Sequence, residues 1–117
     1  MSEAVPEAPG PEDLKIITLA RAARARVESA EGAAVRDETG RTYAAAAVAL
    51  PSLQLSALHL AVAMAASSGA TSIEAAAYVS DSGKPEPASI AAVRELGPFA
   101  VVFCAAPDGT VRAILRP

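Results

Sequence analysis

The stretch SIEAAAYVSDSGKPEPASIAAVRELGPFAVVFCA, residues 72–105, decides the fold. Ser72 to Ser80 is a short run dominated by small and branched apolar residues and reads as a strand. Asp81 to Glu86 follows as a loop, punctuated by Gly83 and Pro85. Pro87 suits the first turn of a helix, Ala88 to Leu96, which Gly97-Pro98 terminates. Phe99 to Ala105 is a continuous apolar run, the pattern of a central strand buried on both faces. Strand, helix and strand in this order imply a parallel crossover, with helices covering the sheet.

Upstream, Ala33 to Asp37 reads as a strand, Glu38-Thr39-Gly40-Arg41 as a hairpin turn, and Thr42 to Leu50 as the returning strand. Pro51 breaks that strand, and Ser52 suits the N-cap of a helix running to about Ser68. Leu53, Leu55, Leu58, Leu60, Val62 and Met64 leave this helix no polar face, so it should lie buried in the fold or in an oligomer. Asp13 to Ala30 reads as an opening helix, with Gly32 behind it. Pro107-Asp108-Gly109 turns the chain into a last strand, Thr110 to Leu115. The expectation is an α/β protein: a three-layer α-β-α sandwich around a five-stranded mixed sheet. Residues 1–12, rich in Pro, Glu and Ala, are expected to be a disordered tail, and 13–117 a single domain.

Composition narrows the function classes. Apolar residues make up 52% of the 117, aromatics only 3%, and alanine fills much of the difference. Small side chains let layers approach closely but bury little area each. A net charge of -3 carries no polyanion signature, and Arg21, Arg24 and Arg26 are followed at once by Glu28 and Glu31. Nucleic acid is therefore not expected as a partner. No run approaches the ~18 apolar residues of a membrane span. One cysteine, Cys104, rules out an internal disulfide and fits a reducing, cytoplasmic setting.

Several local strings resemble the small cytidine deaminase family. Val35-Arg36-Asp37-Glu38-Thr39-Gly40-Arg41-Thr42-Tyr43 looks like its first hairpin, and Ala61 to Ala77 is similar to its central helix and third strand. Glu95-Leu96-Gly97 and the turn at Asp108-Gly109 fall where its last helix and strands would. The resemblance implies a zinc site, with one His or Cys and two Cys holding a metal that activates water while a Glu moves the proton. The [HC]-x-E motif falls on Ser56-Ala57-Leu58, and the P-C-x-x-C motif on Pro85-Glu86-Pro87-Ala88-Ser89. Serine is a poor zinc ligand and leucine moves no proton. The sugar-holding Asn and Glu of the family correspond to Ala47 and Ala49, which offer no side-chain hydrogen bond. His59, the sole histidine, stands where the family often has an Arg, and with Glu86 or Asp81 makes too small a ligand set for zinc.

Ser56, Leu58, Glu86 and Ser89 are thus read as degenerate catalytic positions, and zinc is not expected. The leading expectation is a protein of this fold that is not an enzyme and serves assembly or partner binding. It would be a homodimer or homotetramer, or bind another protein, with the old pocket filled by Leu58. The alternative is a sensor binding a nucleoside or an anion in a pocket bounded by Ala47, Ala49, Ser56, His59 and Ser89, where two helix N-termini would favour negative charge. Less expected are a zinc-dependent deaminase with an atypical centre and an unrelated α/β module sharing the element order.

Overall fold

A computed structural model describes residues 8–117. Ten elements follow in chain order: α1 Pro11–Arg26, β1 Glu31–Asp37, β2 Thr42–Ala46, β3 Val48–Leu50, β4 Leu53–Leu55, α2 Ala57–Ser67, β5 Ile73–Ser80, α3 Pro87–Leu96, β6 Val101–Ala105 and β7 Val111–Leu115. The main sheet has five strands in the order β2-β1-β5-β6-β7. β5 and β6 run parallel on either side of the α3 crossover, and the other pairings are antiparallel. The expected mixed sheet and three layers are what the chain forms.

Alternation along the strands builds the layers. Ala33, Val35, Ala76, Val102 and Cys104 point to one face and pack with Ala57, Leu58, Ala61 and Ala65 of α2 and Val93 of α3. Ala34, Ala75, Ala77, Val79 and Phe103 point to the other and meet Ile16, Ile17 and Ala20 of α1. Backbones approach closely where side chains vanish. A Cβ on Gly32 would lie 2.1 Å from the Ala20 carbonyl oxygen, so α1 rests directly on β1 there.

The structure shifts several boundaries. Pro11 and Glu12, expected in the tail, form the first turn of α1, where Asp13 Oδ2 accepts a hydrogen bond from the Gly10 amide at 3.2 Å. Residues 1–7 of that expected tail lie outside the described residues. α1 also stops earlier than expected, at Arg26, before Glu28 takes a φ of 52°. Phe99, expected in a buried strand, is 84% exposed in the turn before β6.

The largest correction concerns Pro51 and Ser52. They do not open a helix but form the turn of a hairpin. Val48, Ala49 and Leu50 pair with Leu55, Gln54 and Leu53 in a separate two-stranded sheet. α2 starts at Ala57, capped by Ser56, whose Oγ accepts from the His59 amide at 3.0 Å. Nor is α2 buried all round: Ala57, Leu58, Ala61 and Ala65 face inward, while Met64 is 37% exposed. Among the described residues no helix is long and apolar enough to cross a membrane.

Candidate functional site

The chemistry-bearing residues singled out in the sequence converge where α2 and α3 begin. Ser56 caps α2, Ser89 sits in the first turn of α3, and their hydroxyl oxygens are hydrogen-bonded at 2.9 Å. Ser89 is buried and Ser56 half-buried. Glu86 is the N-cap residue of α3, but its exposed side chain makes no capping bond.

A cleft of about 590 Å³ opens over these helix starts. Ala47, Ala49, Ser56, His59 and Glu86 all line it. Ser89 and Leu58 are not among its lining residues. Leu58, 0% exposed, turns into the core beneath α2 and leaves the cleft unfilled, contrary to the expectation that it would plug the old pocket. Asp81 belongs elsewhere: its carboxylate pairs with Arg24 at 3.5 Å on the surface. The Ser80-Asp81-Ser82-Gly83 segment closes on itself, with Ser80 Oγ accepting from the Gly83 amide at 3.1 Å and bonded to Ser82 Oγ at 3.0 Å.

Two cleft residues escaped the sequence reading. Glu31 opens β1, and its Oε1 accepts the Ala57 amide, the first of α2, at 2.7 Å. Its Oε2 accepts the Tyr78 hydroxyl, also at 2.7 Å. Strand alternation puts Glu31 and Tyr78 on the α2 face of the sheet, and both line the cleft. Burial is the main cause that pushes the Tyr78 phenol up to about 12. The Ser80 side chain opposes it and Glu31 adds to it, so the hydroxyl remains a donor at neutral pH. One signal was available: a lone Tyr in the alanine run of β5 must find a partner for its hydroxyl once buried. The anion place expected at the start of α2 is thus held by the protein's own carboxylate.

These residues do not fit a zinc ion. The hydroxyls of Ser56 and Ser89 bond to each other, and among the described residues no group of three or more His, Cys, Asp or Glu side chains could hold a metal ion. Cys104 lies beside Tyr78 in the β5–β6 register but is buried in the core. Burial pushes its thiol up to about 11, against a smaller opposing influence of Lys84, so it stays protonated at neutral pH rather than offering a thiolate.

The sequence model of a family described as cytidine deaminase-like matches residues 9–109. Among solved structures, the chain is similar to a cytidine deaminase from Burkholderia pseudomallei, with 26% identity over 87% of this chain and 90% of that one and a TM-score of 0.74. It also shares the fold of a cytidine deaminase from Mycobacterium leprae, at 23% identity over 84% and 89% of the two chains and a TM-score of 0.63. No curated protein matches. These matches correct the expectation that the chain is not an enzyme. The likenesses lie among deaminases, and replacement of motif residues does not by itself establish a loss of catalysis.

Proposed function

This chain belongs to the cytidine deaminase-like family, and from that premise we propose that its cleft binds a small polar molecule of the nucleoside class. The observation that carries the reading is the convergence of Glu31, Tyr78, Ser56 and His59 on one cleft of about 590 Å³ at the start of α2. That volume falls within the ~300–1,000 Å³ of small-molecule sites. Ala47, Val48, Ala49 and Leu55 supply the apolar part of its lining. The ligand's polar contacts fall to the Glu31–Tyr78 pair, because Ala47 and Ala49 cannot hold sugar hydroxyls. Binding in this reading draws on no metal, in keeping with the donor set.

The test is a thermal-denaturation titration of the full chain with cytidine, uridine and zinc, each alone. A nucleoside that binds the native state raises the midpoint, by an equivalent of ~2.7 kcal/mol at a hundredfold excess over Kd. A midpoint that responds to zinc but to neither nucleoside overturns the reading.

Self-association is a second reading, favoured by the exposed apolar side chains. Leu50 and Leu53 of the β3–β4 hairpin are 54% and 49% exposed, and Val27 is 59% exposed. Light scattering on the purified chain decides it: a mass of one chain at micromolar concentration rejects a stable homo-oligomer.

A further inference from the structure

We propose that Glu31 sets the charge selectivity of the cleft, admitting ligands with an amidinium or amino-heterocycle N–H edge and turning away anions. The inference rests on the binding reading above and names the class of ligand it takes.

A helix start ordinarily attracts an anion, because its first amides lack intrahelical partners and the helix dipole is positive there. At α2 that role is filled from within the chain. Glu31 Oε1 takes the Ala57 amide and Oε2 takes the Tyr78 hydroxyl, each at 2.7 Å, so β1, α2 and β5 together fix one carboxylate. An anion seeking the start of α2 would have to displace Glu31 from the Ala57 amide and share the cleft with its charge.

A ligand carrying N–H groups meets the opposite situation. An ionised carboxylate offers about four lone-pair directions, and the two contacts above use two of them. The rest can accept a paired N–H edge, the geometry in which carboxylates bind guanidinium and amidinium groups. Beyond Glu31 the lining carries one acid, Glu86, and one ammonium, Lys84, both exposed and of opposite sign, so the half-buried Glu31 is the charge held within the cleft. Tyr78 acts here as a positioning residue, holding the carboxylate in place.

The experiment uses two probes of one shape and opposite charge, benzamidine and benzoate, with cytidine as a third. Each is titrated into the full chain and into Glu31→Gln and Tyr78→Phe, following the amide resonances of Ser56 and His59. The unaltered chain should bind benzamidine at least tenfold more tightly than benzoate. Glu31→Gln, which keeps the shape and the Ala57 contact, should bring that ratio to within about threefold, with a thermal midpoint confirming a folded chain. Tyr78→Phe should weaken benzamidine less than Glu31→Gln does. A ratio unchanged in Glu31→Gln, or cytidine binding without preference for benzamidine, overturns the assignment of Glu31 and leaves the binding reading standing. If none of the three probes moves the Ser56 and His59 resonances, the binding reading falls and the assignment with it.

Discussion

The hydroxyls of Ser56 and Ser89 share a hydrogen bond of 2.9 Å between the start of α2 and the first turn of α3. Ser56 Oγ also accepts the His59 amide at 3.0 Å, so one oxygen both caps α2 and ties it to α3. Replacing Ser56 with Ala leaves the His59 amide without its cap and the buried Ser89 hydroxyl without this partner. The expected loss is ~2 kcal/mol of unfolding free energy, read by urea denaturation. A loss below ~0.5 kcal/mol, the scatter of ordinary surface substitutions, would show that water replaces the pair at no cost.

The same juxtaposition makes a metal prediction. The sequence resemblance aligns Ser56, Glu86 and Ser89 with the family's zinc motifs, and a chain carrying Ser56→Cys, Glu86→Cys and Ser89→Cys would present three thiols at adjoining helix starts. That variant should retain one zinc per chain after dialysis, whereas the unaltered chain should retain none. Stoichiometric zinc on the unaltered chain, measured by atomic emission, would contradict the donor chemistry argued above.

Glycines separate packing from backbone conformation. At Gly32 an added Cβ meets the Ala20 carbonyl at 2.1 Å, so Gly32→Ala must push α1 off the sheet and should cost ~3 kcal/mol or more. At Gly40 the space is open but φ is +89°, so Gly40→Ala carries only local strain of ~1 kcal/mol. Equal losses in the two variants would refute the close α1–β1 approach.

Stability should fall at both ends of the pH scale, for different groups. At Asp37, desolvation works to raise the carboxyl. It is outweighed by hydrogen bonds from the Thr39 side chain and amide, the Tyr43 hydroxyl and the Arg41 amide, which lower it from 3.8 to about 2. A depressed acid contributes stability above its unfolded value and loses it as pH falls from near 4 toward 2. Tyr78 and Cys104 are raised instead, from 10.0 to about 12 and from 9.0 to about 11, so their contribution is complete below pH 9 and fades as pH climbs to 12. Midpoints measured across pH should show both limbs, with Asp37→Asn flattening the acid one. An acid limb unaltered in that variant would assign it to other carboxylates.

Much of the fold was legible because each main strand is bounded by a turn residue or a helix cap. The apolar run before Pro107 and the break at Gly97-Pro98 placed β6 and the end of α3 nearly where they lie. The β3–β4 hairpin was not read, because Pro51-Ser52 carries the residues of a helix start as well as those of a turn, and three-residue strands show almost no periodicity. Part of the site followed from motif positions, which put Ser56 and Ser89 into register with two helix starts. The Glu31–Tyr78 contact joins residues 47 apart through the antiparallel pairing of β1 and β5, and nothing local to either residue announces it.

The β3–β4 hairpin, which supplies Val48, Ala49, Gln54 and Leu55 to the cleft, belongs to no larger sheet. A two-stranded hairpin of three residue pairs has little stability of its own. Amide protons along Val48–Leu55 should therefore exchange with solvent through local opening, well before those of β1 and β5 in the sheet centre. On that expectation the two sides of the cleft differ in how long they stay formed. The expected result is a floor that opens only with the whole fold and one wall that opens by itself, so occupancy of the cleft should register as slowed exchange in that wall.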